Sequence, residues 1–288
     1  MYKDKKIVLL FLFPAVLLII AFLYWPFILS IINSFFKINF FGAKGVFIGI
    51  DNYKEMFSDP AVGMSVKNTL YLMAAVIIFQ VGFALVLALM VSAIKAGQHF
   101  FRTVFFFPVV ISATALGLLF VLMYDYSSGA LNQLMVILGK EPVWWLNENN
   151  ALLGVSIPVL WQYVGFYFVI LLTAINKIPD ELYESAYLEG IREIKKAYYI
   201  TIPLIWDVIK AALILAITGA LRVFDLVWVI SRGGPQDASQ LLGTYMYKQA
   251  FESSKIGYAS AVAVLIVVLG LVLSMVSRML TAREEITY

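Results

Sequence analysis

The chain has 288 residues, of which 62% are hydrophobic and 14% charged, with a net charge of +3 and a mean hydropathy of +0.90. Soluble domains average about 45–50% apolar and about 25% charged residues, so this composition specifies an integral membrane protein. The absence of cysteine and the single histidine, His99, exclude disulfide, thiol and His-cluster metal chemistry, and the small, scattered positive charge excludes a nucleic-acid partner.

A helix needs about 20 mostly apolar residues to cross the hydrocarbon core. Six stretches meet this length, at roughly 7–32, 66–94, 103–124, 151–175, 204–230 and 256–280. Their apolar runs are continuous rather than alternating, which predicts helices rather than barrel strands. The expected fold class is all-α, a polytopic bundle of six spans forming one domain over 1–288. The first run carries no small-residue cleavage site and continues into Tyr24, Trp25 and Phe27, so it reads as an uncleaved span rather than a signal peptide. Trp144, Trp145, Tyr124 and Tyr126, beside the third and fourth spans, suit an interfacial aromatic belt.

Lys and Arg counts orient the chain. The segments 1–6, 95–102, 176–203 and 278–288 hold eleven: Lys3, Lys5, Lys6, Lys95, Arg102, Lys177, Arg192, Lys195, Lys196, Arg278 and Arg283. The longer opposite set, 33–65, 125–150 and 231–255, holds seven. Both termini and the 176–203 loop are therefore expected in the cytoplasm.

That loop is the one polar insert patterned as a helix. Seven of residues 181–204 are charged. Pro179, Asp180 and Glu181 suit a helix start, because proline is tolerated in a first turn and acidic side chains favour the positive helix end. Gly190 is placed to end this helix in the left-handed conformation that glycine adopts without penalty. A second short helix is expected over 191–199, with Pro203 setting the approach to the fifth span. Composition alone equally fits an amphipathic helix on the lipid surface.

The spacing Glu184-Ser185-Ala186, Gly190, Ile200-Thr201-Ile202-Pro203 resembles the cytoplasmic loop by which permeases of ABC importers grip their ATPase. The family pattern is Glu-Ala-Ala, three residues, Gly, nine residues, Ile, any residue, Leu, Pro. The chain departs from it at Ser185 and Ile202. The resemblance continues through Ile50-Asp51-Asn52-Tyr53, Arg102 to Pro108, Ser112, Gly129, Asn132, Phe224-Asp225, Gly233-Gly234-Pro235 and Tyr245 to Phe251. It points to permeases of maltose, oligosaccharide and glycerol-phosphate importers, nearest the larger maltose permease subunit without its outer domain and first span.

The resemblance implies an ABC type I importer permease carrying a sugar or oligosaccharide handed over by an external or periplasmic binding protein. The implied partners are a second permease chain, different from this one, and two ATPase subunits. The implied coupling residues are Glu184, Ser185, Ala186, Gly190, Ile200 and Pro203, with Ala186 and Gly190 small enough for a partner to approach. The sequence contains no phosphate-binding loop, so ATP hydrolysis is expected from the ATPase partner; no enzyme activity, cofactor or metal is expected in this chain. The alternative is a subunit of a secondary transporter or channel for a small polar solute.

Charges inside a span cost about 2.5–3.5 kcal/mol each on insertion scales. Arg222 and Asp225 stand three residues apart in the fifth span, which on one continuous helix places them on one face, with Trp228 a turn further. These three, with Gln162 and Tyr163 of the fourth span, are the substrate-path candidates. An internal ion pair that only packs helices is the competing reading for Arg222 and Asp225. Asn68, Gln80 and Thr114 are expected to make interhelical hydrogen bonds.

Overall fold

The computed structural model describes residues 5–40, 44–94 and 97–281. Lys3, Lys95 and Arg283 of the charge count lie outside these residues. Among them, five helices are long and apolar enough to cross a membrane: Val8–Asn33, Pro60–Ser92, Ala151–Ile175, Trp206–Ile230 and Ile256–Leu280. The pair Gln98–Val110 and Ala113–Met123, bent by 89°, meets the same test together and makes a sixth, third in chain order, if it crosses as one broken helix. Strand structure among these residues is limited to the antiparallel pair Phe36–Lys37 and Val46–Phe47.

The bend corrects the expectation of one continuous third span. Pro108 cannot donate to the preceding turn, Ile111 is extended (φ −73, ψ 132), and the Ser112 hydroxyl accepts from Ala115 N–H to start the next helix. The second span also begins earlier than expected, at Pro60, because proline is tolerated in a first turn and Ser65, Lys67 and Asn68 do not interrupt the helix.

The chain forms two compact units. One comprises Met64–Thr244 with Leu269–Tyr288. Its core includes Leu72, Val155, Phe168, Leu171 and Leu172, all fully buried, and alanines at four-residue spacing, Ala84 and Ala88, Ala212 and Ala216. Small residues at that spacing let helix backbones approach closely, the principal source of packing energy where lipid removes the hydrophobic drive. Gly165 marks one such close approach: a Cβ there would overlap the Phe105 carbonyl of the third span.

Backbone groups freed by prolines and bends are paired by side chains, as hydrocarbon requires. Pro158 leaves the Gly154 carbonyl without its helical donor, and the Tyr124 hydroxyl supplies one at 2.7 Å. Gln162 Nε2 donates to the Ile111 carbonyl at the third-span bend, 3.1 Å, and Gln80 Nε2 to the Val159 carbonyl, 2.7 Å. Asn68 Nδ2 donates to the carbonyls of Ala238 (3.1 Å) and Gln240 (3.0 Å), holding the 231–241 loop. Gln80 thus makes the interhelical hydrogen bond expected of it, whereas Asn68 bonds a loop instead and Thr114 is exposed.

The 125–150 segment is organised by Asn132, whose amide donates to the Val143 carbonyl (3.1 Å) and whose oxygen accepts from Trp145 Nε1 (3.0 Å). Its aromatics are stacked in pairs, Tyr126 on Trp144 at 4.2 Å and Tyr124 on Trp145 at 5.5 Å, with Tyr124 buried. A simple lipid-facing belt is therefore corrected: two of the four rings serve the fold of this segment. The Asp125 carboxylate accepts from the hydroxyls and N–H groups of Ser128 and Ser127, which holds its pKa down at about 2.

The other unit comprises Met1–Gly63 with Tyr245–Val268. Side chains 8–29 of the first span are exposed throughout, an apolar surface suited to lipid. Buried Asn52 ties the helix Asp51–Ser58 to the carbonyls of Ser34 (2.8 Å) and Phe36 (3.0 Å), while Tyr53 bonds Ser34 Oγ at 2.6 Å. Asp59 accepts from Tyr245, from Tyr258 (2.7 Å) and from Ala61 N–H (2.9 Å). Burial raises its pKa, but the Tyr245 and Tyr258 hydroxyls, Ala61 N–H and Lys255 together outweigh it, and the net shift is downward.

Candidate functional site

The loop between the fourth and fifth spans is a pair of helical segments. The first, Asp180–Leu188, opens after Pro179 and carries Asp180 and Glu181 in its first turn, as expected. It ends at Gly190 with φ +75. Gly190 N–H donates to the Tyr187 carbonyl and Ile191 N–H to the Ala186 carbonyl, each 3.0 Å. That paired pattern around a left-handed residue is a Schellman termination.

The second segment runs from Glu193 to Leu204 and includes a π-helical turn at Ala197–Thr201. It starts later and ends later than the expected 191–199, and the break falls at Ile205, whose backbone (φ −96, ψ 12) leaves the helical region. The Tyr183 hydroxyl meets buried Thr201 Oγ1 at 3.2 Å, and Lys196 Nζ lies 5.2 Å from the Tyr183 ring centroid. These contacts pin the two arms together.

The six coupling candidates divide by exposure. Glu184, Ser185 and Gly190 are exposed; Ile200 and Pro203 are half-buried; Ala186 is 4% exposed. The expectation that Ala186 is small to admit a partner is corrected, since its own chain already covers it. Space around Gly190 is open, with nothing within 4 Å of the position a side-chain carbon would take. Glu184 has no hydrogen-bond or ionic partner among the described residues. Exposed Tyr187, Leu188, Ile194, Tyr198 and Tyr199 add apolar surface to the loop.

A cleft of ≈ 410 Å³ opens between the second, fourth and fifth spans. Its polar lining is Gln80, Gln162, Tyr163, Tyr167, Arg222 and Asp225. Four of the five path candidates therefore meet there. Trp228 does not line it; its ring stacks on Phe224, which does, at 5.6 Å.

Arg222 and Asp225 do not share one helical face. The helix Trp206–Leu221 stops, Arg222 caps it, Phe224 is non-helical (φ −139, ψ −60), and Asp225 opens the helix Asp225–Ile230. Both side chains are exposed and form no ion pair with each other. The break missed by periodicity lies among apolar and β-branched residues, with no proline or adjacent glycine to signal it. The third-span bend meets the same cleft through Ala113 and through Gln162, which holds the Ile111 carbonyl. Irregular backbone at membrane depth is tolerated where it lines a cavity or is buried in protein. Two such interruptions at one cleft mark it as the polar centre of the bundle.

Comparison with known proteins places this architecture. The probable ABC transporter permease protein YurN of Bacillus subtilis is 37% identical over 98% of this chain and 99% of its own length. The multiple sugar-binding transport system permease protein MsmF of Streptococcus mutans is 28% identical, with 91% of each chain covered. In fold, the chain matches a component of a bacterial alginate ABC transporter, solved with an alginate pentasaccharide-bound periplasmic protein, at a TM-score of 0.85 and 23% identity over 98% of this chain and 96% of that one. The family model for the binding-protein-dependent transport system inner membrane component matches residues 80–285. The chain belongs to that family, and is a multi-pass inner-membrane transport subunit rather than an enzyme.

Proposed function

We propose that the chain is one permease subunit of an ATP-driven importer for a sugar or oligosaccharide. An external binding protein delivers the solute, a second and different permease chain completes the path, and two ATPase subunits drive it. The sugar-transport names among the relatives support the substrate class. The single observation that carries the mechanism is the 180–204 loop. It is a braced helical pair that presents Glu184 with no partner in its own described surroundings.

In this reading Glu184 and Ser185 contact the ATPase. The Gly190 turn sets the angle between the two arms, and Ile200 and Pro203 carry movement to the fifth span. Ala186 anchors the loop to its own chain. ATPase closure then tilts the fifth span, whose break at 222–224 lies in the cleft. Gln162, Tyr163, Arg222 and Asp225 offer donors and acceptors for sugar hydroxyls, and Trp228 acts through Phe224. In the same reading the loop and both termini lie in the cytoplasm, which their positive charge favours, within one permease domain over 1–288.

Glu184→Arg tests the loop. The variant should insert and assemble with its permease partner, yet lose co-purification with the ATPase and lose solute uptake. Retained ATPase binding and normal uptake would make the loop a surface helix.

A further inference from the structure

The seam between the fourth and fifth spans holds a second cavity, ≈ 400 Å³, near where the fourth span stops at Ile175 and the fifth begins at Trp206. Its walls are Val169, Ile170, Ala174, Leu204, Ile205 and Val208. Among the described residues, only Thr173 and Lys177 add polar groups to the lining. The Thr173 hydroxyl donates to the Val169 carbonyl at 2.7 Å, so it is already engaged. Lys177 is exposed, and its side chain has no partner among the described residues.

This lining differs in kind from the cleft above it. A sugar entering the groove would leave hydroxyls without partners, a desolvation cost with no return. An apolar chain incurs no such cost. The depth also fits a lipid. Lys177 stands two residues beyond the end of the fourth span, and Trp206 opens the fifth. Trp206 Nε1 donates to the Thr281 carbonyl at 3.0 Å, joining this level to the end of the sixth span. Tryptophan and lysine at span ends sit in the headgroup layer, so the groove descends from that layer into hydrocarbon.

We propose that this groove binds one anionic phospholipid, its acyl chain along the apolar walls and its phosphate at Lys177 Nζ. The walls select the chain and the Lys177 ammonium selects the headgroup charge. A zwitterionic lipid brings its own cation toward Lys177 and binds less well. Leu204 and Ile205 close the coupling loop, so the lipid braces that loop against the fourth span. This consequence, unlike the binding itself, rests on the loop being the ATPase contact.

The test is native mass spectrometry of the assembled, purified complex after exposure to phosphatidylglycerol or phosphatidylcholine. Wild type should retain phosphatidylglycerol in preference. Lys177→Gln should retain it roughly fivefold less well, the ratio one basic residue near an anionic surface confers. Lys177→Arg should restore it, and Lys140→Gln, outside the groove, should leave it unchanged. Equal retention by Lys177→Gln and wild type, or equal retention of the two lipids, overturns the proposal. So does a crosslink from Ile170→Cys to another subunit, or protection of that cysteine by sugar. Lipid retention is read without ATP turnover, so failure of the loop assignment leaves it standing. Loss of lipid with intact ATPase docking refutes the bracing role alone.

Discussion

At the level of single residues, two backbone positions carry distinct requirements. Gly190 adopts φ +75, with open space where a side chain would project. The cost of substitution there is conformational rather than steric. A β-branched residue in that region costs ~1–3 kcal/mol locally, whereas asparagine tolerates it. Gly190→Val should therefore insert normally but lose ATPase association, while Gly190→Asn keeps it. Co-purification of the two variants compares these directly, and equal behaviour would remove the turn from the mechanism. The left-handed turn is legible in the sequence because glycine follows a helical run at a recognised spacing.

Arg222 and Asp225 test the opposite situation. Sequence spacing implies a shared face and allows a structural pair; the break between Leu221 and Asp225 separates them, and they form no ion pair. If the two charges served only each other, Arg222→Leu with Asp225→Leu would recover what either single change loses. The expected result is no recovery: each variant assembles, and the double variant transports no better than the worse single one. Uptake and substrate-stimulated ATPase in reconstituted vesicles measure this.

Elements depend on pairings between distant segments. Gln162 reads in the sequence as part of a polar-aromatic cluster, and it both lines the cleft and donates to the Ile111 carbonyl at the third-span bend. Gln162→Leu keeps the volume but orphans that carbonyl, at a cost of ~1–3 kcal/mol. The complex should melt at lower temperature even without substrate, and Gln162→Glu should not restore the lost donor. An unchanged melting temperature in Gln162→Leu would mean the bend needs no support. Pro108 and Ser112 are the sequence signals for this bend, a helix breaker and an N-cap four residues apart. Apolar continuity across them conceals it. Asn132 and Asp59 are less legible still, because each binds groups distant in sequence: Val143 and Trp145 for Asn132, the Tyr245 and Tyr258 hydroxyls for Asp59.

For the whole molecule, the proposed orientation rests on charge alone and is open to a direct test. The chain lacks cysteine, so single introduced cysteines report cleanly. Lys140→Cys should react with an impermeant maleimide from outside intact cells, and Lys195→Cys only after the membrane is opened. Both positions are exposed. External reaction at 195 would reverse the topology and remove the loop from the ATPase side.

The sequence by itself determined the membrane class, the apolar stretches long enough to span, and the family through the coupling-loop spacing. These properties are local: hydropathy over about 20 residues, glycine at a turn, residue types at fixed intervals. Only the tertiary structure decided where the third and fifth spans break, that Ala186 is covered by its own chain, and that Trp228 stands behind Phe224 rather than in the cleft. These depend on which freed carbonyl finds which side chain across the bundle. That pairing is set by three-dimensional proximity, and in lipid, where water cannot substitute, it decides where a helix is free to break.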